Sequence, residues 1–326
     1  MRALRILLGI CVVVIGGWLV ARVFEAPGNA APARQFTSSR QCMECHAEVF
    51  AEWESSWHAQ AWVDPDVRAL SNDFSNTDCI DCHAPRPIFE SGIGKRVLPR
   101  SSRRSEGVDC IACHLLPEGG VAGTVDSSTA ACRPVARVEL SKPEFCAACH
   151  NQHKTVDQWR ATKYAEEGIS CIDCHMPFRD GNPNRGRDHS CLGGHDIDLV
   201  KSAVELRARR DGNAVLVEVE NVGAGHSFPT DERARAADVF WRPLAADADP
   251  GPWQHVYRFR SPYRHEVDVP ETWLPAHETW AGRIEDAGDG TLEVALFYKL
   301  SPYWTTPDAP LPEQEARLVH RVEVSP

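Results

Sequence analysis

Three stretches of the chain differ in how hydrophobic and polar residues follow one another. Residues 6–21 are apolar without a break, with Arg2 and Arg5 before them and Arg22 after them. Residues 38–200 hold few strand-like runs, and Pro- and Gly-containing stretches interrupt them at 84–99 and 117–123. Short helices and long loops are expected there. From residue 201 alternation takes over. Residues 204–209 and 215–222 flank the turn signal Asp211-Gly212-Asn213, and residues 239–244, 254–260, 292–300 and 317–324 follow. Asp289-Gly290 opens the strongest of these runs. Six or seven short strands in about 125 residues predict an antiparallel β-sandwich. The expected organisation is a signal peptide or membrane anchor over 1–24, a linker over 25–37, a helical and irregular domain over 38–200, and a β-sandwich domain over 201–326.

Composition narrows the function. The chain has 326 residues, 43% hydrophobic and 25% charged, which excludes a disordered chain, a collagen and a polytopic membrane protein. Its net charge of −11 repels phosphate backbones, so no nucleic-acid partner is expected. The unusual feature is 13 cysteines beside 14 histidines. Ten of those cysteines fall into five copies of one pattern: Cys42, Cys45 and His46; Cys79, Cys82 and His83; Cys110, Cys113 and His114; Cys146, Cys149 and His150; and Cys171, Cys174 and His175. C-x-x-C-H is the attachment signature of c-type haem. Each cysteine adds across a vinyl group and the adjacent histidine becomes the proximal iron ligand. Chance predicts roughly 0.02 copies at this composition. Zinc ribbons do not need a histidine after every pair, and a disulfide scaffold does not space cysteines so regularly. Five covalently bound haem c groups are therefore expected. At about 33 residues per motif the chain is too short for a conventional core, so the macrocycles must supply much of the apolar interior. Of the other cysteines, Cys11 lies in the apolar run, and Cys132 and Cys191 either pair or stay free.

The N-terminus sets the compartment. Read as a signal peptide, the run has a suitable length and Ala31-Pro32-Ala33 resembles a cleavage site. Read as an anchor, a snorkelling Arg22 extends it to Phe24, and the segment contacts the inner membrane. Either way the remainder is exported to the periplasm, where haem c is attached.

The motif-bearing domain contains an internal repeat. The first motif is followed by Trp53, Ser56, His58 and Ala59 and then by the motif at 79–83; the fourth is followed by Trp159, Thr162, Tyr164 and Ala165 and then by the motif at 171–175. Two copies of a haem-pair module are the simplest reading, with Tyr164 standing where the first copy has His58. Five low-spin haems need ten axial ligands, and the motifs supply five. His58, His153, His189, His195 and His226 are the candidates for the far faces. His255, His265, His277 and His320 are read as structural, Met176 as packing and Tyr164 as core. The basic run Lys95, Arg96, Arg100, Arg103 and Arg104 is read as a solvated loop, or else as partners for haem propionates.

These segments resemble the multihaem cytochromes c of the cytochrome c554 type. The likeness lies in Trp53-x-x-Ser56-x-His58, in Cys171 to Pro177, in Asp188-His189-Ser190-Cys191-Leu192-Gly193-Gly194-His195-Asp196 with Cys191 where phenylalanine is usual, and in Gly225-His226-Ser227-Phe228-Pro229-Thr230. It covers most of residues 38–300. The resemblance implies a periplasmic or cell-surface electron-transfer protein with mostly bis-histidine haems. His58, His189, His195 and His226 would be distal ligands, and the loop 225–230 would lie against the haems. Bis-histidine irons are closed to substrate, so no catalytic residue is expected. The alternative is a haem enzyme with one five-coordinate iron acting on a small nitrogen or sulfur oxide species, and Tyr164 marks where it would lie. Pentahaem nitrite reductases are a poorer match, because no C-x-x-C-K motif occurs. The expected partners are redox proteins with a basic docking surface, with an inner-membrane quinol dehydrogenase as one candidate.

Overall fold

The computed structural model describes residues 34–230, 234–245, 249–263 and 265–326. The apolar run, Cys11 and most of the expected linker lie outside the described residues. Among the described residues no helix is long and apolar enough to cross a membrane.

Short helices carry the motifs. They are the 3-10 helix Ser39–Glu44 and the α-helices Asp78–His83, Cys110–His114, Pro143–His150 and Cys171–His175. The local reason is spacing: positions i, i+3 and i+4 share one helix face, so a single turn presents both thiols and the imidazole together. Caps hold such short turns. Asp109 accepts the Ala112 N–H at 2.8 Å, and Ser170 and Asp173 form a capping box. Apolar clusters in this half are small. Ile88, Val97, Phe145 and Ala148 pack with Cys82, Cys113 and Cys149, while Phe74, Ile80 and Ala84 pack with Trp62, Val67 and Cys79. Motif cysteines border both clusters, so groups attached to those cysteines would extend them. Two short strands, β1 (Val121–Gly123) and β2 (Pro134–Ala136), pair in parallel after the third motif.

The basic run is solvated only in part, at the exposed Lys95 and Arg96. Arg96 bonds Asp81 and Asp78, both at 2.7 Å. Arg100 is buried and donates to the carbonyls of Pro85 at 2.9 Å and Gly107 at 2.6 Å. Arg103 pairs with the buried Asp109, and Arg104 donates to the Arg100 carbonyl at 2.9 Å. These cations hold the 84–109 segment together internally.

The second half is built from β3 (Val204–Asp211), β4 (Ala214–Asn221), β5 (Ala236–Pro243), β6 (Gln254–Phe259), β7 (Thr279–Ile284), β8 (Leu292–Lys299) and β9 (Arg317–Val324). They form two open antiparallel sheets, ordered β3-β4-β7 and β6-β5-β8-β9. Both sheets contribute to one apolar cluster, from Val215, Val217 and Val219 on one to Val239, Leu292, Val294 and Leu296 on the other. The helix Ile197–Ala203, capped by Asp196, adds Val200 to the same cluster. Strand β7 escapes the alternation reading because Gly282 breaks it. A side chain there would run into the Trp280 ring at 2.2 Å, so glycine lets that indole fold over the strand.

Strand β8 is buried along its whole length, with Phe240, Ala295 and Phe297 forming a second cluster behind the sheet. Truncating its fully buried Leu296 to alanine should cost about 2–5 kcal/mol, whereas Val267→Ala, at an 83% exposed position, should stay within about 0.5 kcal/mol. Denaturant unfolding followed by far-UV circular dichroism checks the contrast.

Candidate haem sites

Three motif histidines have another imidazole opposite them. His150 lies 6.1 Å from His58 between ring centres, His114 lies 6.2 Å from His189, and His175 lies 6.2 Å from His226. Two metal–nitrogen bonds of about 2 Å, with roughly 1 Å more from each nitrogen to its ring centre, separate ring centres by about 6 Å. The spacing fits an iron between each pair.

The rings are also set in the tautomer a metal needs. The Nδ1–H of His114 points to the Ala122 carbonyl at 2.8 Å, that of His175 to Leu192 at 2.5 Å, and that of His83 to Ala61 at 2.6 Å. On the opposite side, His189 Nδ1 contacts the Arg187 carbonyl at 2.9 Å and His226 Nδ1 the Ser227 carbonyl at 3.0 Å. A backbone acceptor at Nδ1 leaves Nε2 unprotonated and aimed. Burial holds His58, His114, His189 and His226 below the ordinary imidazole range. It pushes His58 down to about 4, with His150 and His175 adding to the effect, and His226 likewise to about 4.

Each facing histidine is held by its surroundings. Trp53 Nε1 donates to the Val108 carbonyl at 2.8 Å, and Val108 N–H donates to the His58 carbonyl at 2.8 Å. The chain passes so close here that a side chain at Gly107, whose φ is +57°, would sit 2.3 Å from that carbonyl. The carboxylate of Glu52 accepts both Nε and Nη2 of Arg179 at 2.5 Å and the His189 N–H at 2.9 Å. Burial alone would raise Glu52, but the Arg179 fork and the His189 N–H outweigh it and hold the carboxyl below its usual range. The buried Asn221 carries the His226 loop. Its Nδ2 donates to the carbonyls of His226 at 2.9 Å and Leu274 at 3.1 Å, and its Oδ1 accepts the Ala224 N–H at 3.1 Å. A cleft adjoins His175, lined among others by Gly194, Leu199, Phe228 and Tyr298. Its lining is largely apolar, as a macrocycle requires.

Contacts between motifs show which lie side by side. Cys42 lies beside Cys110, Cys82 beside Cys149, and Cys146 beside Cys171. The internal repeat is confirmed in kind but shifted in frame. Trp53 bonds the residue two before Cys110, and Trp159 bonds Ile169, two before Cys171, at 2.9 Å. The counterpart of the fifth motif is therefore the third, not the second. The second motif sits in an insertion between the two halves of the first module.

Cys45 falls outside the 3-10 helix that carries its motif partner Cys42. Its side chain is exposed, whereas its motif partner Cys42 is half-buried beside Cys110. The reason is local. The 3-10 helix stops at Glu44, so Cys45 is its C-cap at φ −121°, and His46 is already the N-cap of the helix Ala47–Glu54. The motif straddles two helices, and Cys45 falls at the joint between them. Cys45 also borders neither small apolar cluster of this half. Cys174 is exposed too, but it stays inside its helix, Cys171–His175.

Other expectations are revised. His195 faces no motif histidine. Its ring stacks on Trp57 at 3.5 Å, and its Nε2 accepts from Arg235 at 3.0 Å. His153 closes the 3-10 turn Asn151–His153 behind the fourth motif and takes no part in the three facing pairs. Tyr164 donates to the Val222 carbonyl at 3.3 Å and stacks on His277, so it packs against the β half. Cys132 and Cys191 are both free thiols. His255, His265, His277 and His320 are engaged by Asp238, Tyr263, Tyr164 and the Lys201 and Val204 carbonyls respectively. Among the described residues, which include every histidine of the chain, no imidazole faces His46 or His83 in the manner of the three pairs. What the sequence reading missed is the positioning set: Glu52, Arg179 and Asn221 carry no motif signal of their own.

Comparison with known proteins agrees with this geometry. The family model for cytochrome c554 and c-prime matches residues 41–115. Cytochrome c-552 of Aliarcobacter butzleri is 24% identical over 270 residues, covering 67% of this chain and 52% of the relative. Cytochrome c-552 of Haemophilus influenzae is 25% identical over 170 residues, covering 45% of this chain and 30% of the relative. The chain thus spans about half the length of the first and less than a third of the second. A penta-heme cytochrome c552 from Thermochromatium tepidum superposes with a TM-score of 0.62 at 18% identity, covering 88% of this chain and 98% of that one, and so shares its fold. Repeated C-x-x-C-H motifs, three pairs of opposed imidazoles and these likenesses make the chain a multihaem c-type cytochrome with covalently bound haem c.

Proposed function

We propose that the chain is an exported, periplasmic pentahaem protein that carries electrons along its haem array. The observation behind this reading is the geometry of the imidazole pairs. Irons closed on both faces by His58 and His150, His114 and His189, and His175 and His226 exchange electrons but bind no substrate. The motif contacts supply the route. The first motif touches the third through Cys42 and Cys110, while the fourth touches the second and the fifth. Cys113 of the third motif lies near both Cys146 and Cys149 of the fourth. The fourth motif is then the junction between the others. The first, second and fifth motifs each touch one other motif and so form the ends of the array for exchange with a partner.

A second reading rests on His46 and His83, which face no imidazole. If one of their irons is five-coordinate, it could bind a small nitrogen or sulfur oxide species. Tyr164 is no longer the place to look, because it packs against the β half.

The chain's charge of −11 becomes more negative once propionates are added. A redox partner should therefore dock through a basic surface. An inner-membrane quinol dehydrogenase is one donor that would suit a periplasmic carrier.

Purified holoprotein should contain five haems per chain by pyridine haemochrome. Its low-temperature EPR should show at least three low-spin haems. His58→Gly, His189→Gly and His226→Gly should each convert one low-spin haem to high-spin. Loss of no low-spin signal in any of the three would sink the proposed pairing. A high-spin haem in the unmutated protein that shifts with hydroxylamine or NO would favour the second reading. Electron transfer from a basic donor should slow as salt rises from about 10 mM to 150 mM, as the Debye length falls below about 10 Å. A stopped-flow on-rate indifferent to salt would exclude electrostatic docking.

A further inference from the structure

The segment Gly193-Gly194-His195-Asp196 carries a histidine that the array does not use as an opposed imidazole. His195 is half-buried, and its two nitrogens are unequal. Nε2 lies 3.0 Å from an Arg235 nitrogen, which can only donate, so Nε2 is the acceptor and Nδ1 carries the proton. That Nδ1–H is buried and has no partner among the described residues. A buried donor left unmatched costs about 1–3 kcal/mol, so its site calls for an acceptor. The surroundings specify the sign of that acceptor. Arg235 approaches the ring, and Arg317 donates to the His195 carbonyl. Burial, then Arg235 and Arg317, push His195 down to about 4, against a smaller opposite pull from Asp64. A neutral N–H donor between two guanidinium groups is a place for an anion. Among the described residues Arg235 bonds His195 and, at 2.9 Å, the Leu300 carbonyl, and its guanidinium has further donors.

The position of the cluster identifies the anion. Gly193 and Gly194, directly before His195, line the cleft beside His175, and so does Tyr298. Arg317 is the strand partner of Tyr298, and Leu300 lies two residues further on. A side chain at Gly194 would meet the Tyr298 hydroxyl at 2.4 Å, so the segment passes tightly against that wall. The cluster thus adjoins the cleft beside His175, where a haem attached at Cys171 and Cys174 would supply carboxylates.

We propose that the His195 Nδ1–H and the Arg235 guanidinium bind a propionate of the haem attached at Cys171 and Cys174. This rests on the pentahaem reading above. It assigns His195 to the edge of a haem rather than to an axial position. The cations offset the propionate's negative charge, which otherwise favours ferric iron, so they hold that haem's potential up.

The test is spectroelectrochemical titration of the holoprotein, with EPR and resonance Raman of the propionate bending modes. Arg235→Gln should lower one midpoint potential of the array and shift one propionate band, with every low-spin signal kept. Arg235→Lys, which retains the charge, should recover most of the potential and covers the case in which the glutamine variant folds poorly. His195→Ala should also keep all low-spin signals. A new high-spin haem in His195→Ala would overturn the proposal, because His195 would then be an axial ligand. Unchanged potentials in Arg235→Gln would overturn it as well. So would a shift of the same potential in the unmutated protein on adding phosphate or formate, since a diffusible anion would then fill the site. A haem count short of five, or intact low-spin signals in His226→Gly, would instead overturn the reading on which the proposal rests.

Discussion

An imidazole can hold a metal only when it is neutral and its unprotonated nitrogen is aimed, and the rest of this structure is arranged to meet that constraint. Burial supplies neutrality: His58 and His226 are pushed to about 4, which leaves Nε2 free of a proton throughout the physiological range. Aim comes from the backbone. Carbonyls of Ala122, Leu192, Arg187 and Ser227 each face an Nδ1. Because these acceptors are main-chain groups, the fold itself sets the rings, and the side chains that matter next are those that fix the backbone. Glu52 fixes residue 189 by its N–H, and Asn221 fixes residue 226 by its carbonyl. Neither touches the imidazole it positions within hydrogen-bonding distance.

Much of the array can be read from the sequence because its chemistry is local. The five motifs are visible since two thiols and an imidazole must lie within about one turn of chain. Where that turn sits is less legible: the motif pattern alone does not show that Cys45 falls at a joint between two helices while Cys113 lies inside one. The β strands show as alternation because one face of each sheet is apolar. His58, His189 and His226 are readable as ligand candidates, but their pairing is not. Residue 58 meets residue 150 and residue 189 meets residue 114 across separations that no periodicity records. The basic run misleads in part, for the same reason. Five cations in ten residues look solvated, yet Asp78, Asp81 and Asp109 come back to them from outside the run. His195 resembles a ligand by its motif, and Arg235, 40 residues away, is what redirects it.

The repeat explains both the role of His58 and the presence of Tyr164. In the first module the residue after the Trp–hydroxyl pair is His58, and it reaches the leading motif of the second module at His150. The equivalent residue of the second module reaches onward in the same sense. There it finds the β half: the Val222 carbonyl, the His277 ring and the backbone at Gly225, where an added side-chain carbon would lie 3.5 Å from the Tyr164 ring. A phenol suits that position, with its ring buried against another ring and its hydroxyl matched to a carbonyl. The β half thus occupies the place that a further module's leading motif would take. It also supplies His226, which closes the second module at His175. One domain ends the repeat and completes its final pair, and for that reason the loop around His226 is tied down by Asn221 from within the sheet rather than by any residue of the motif-bearing half alone.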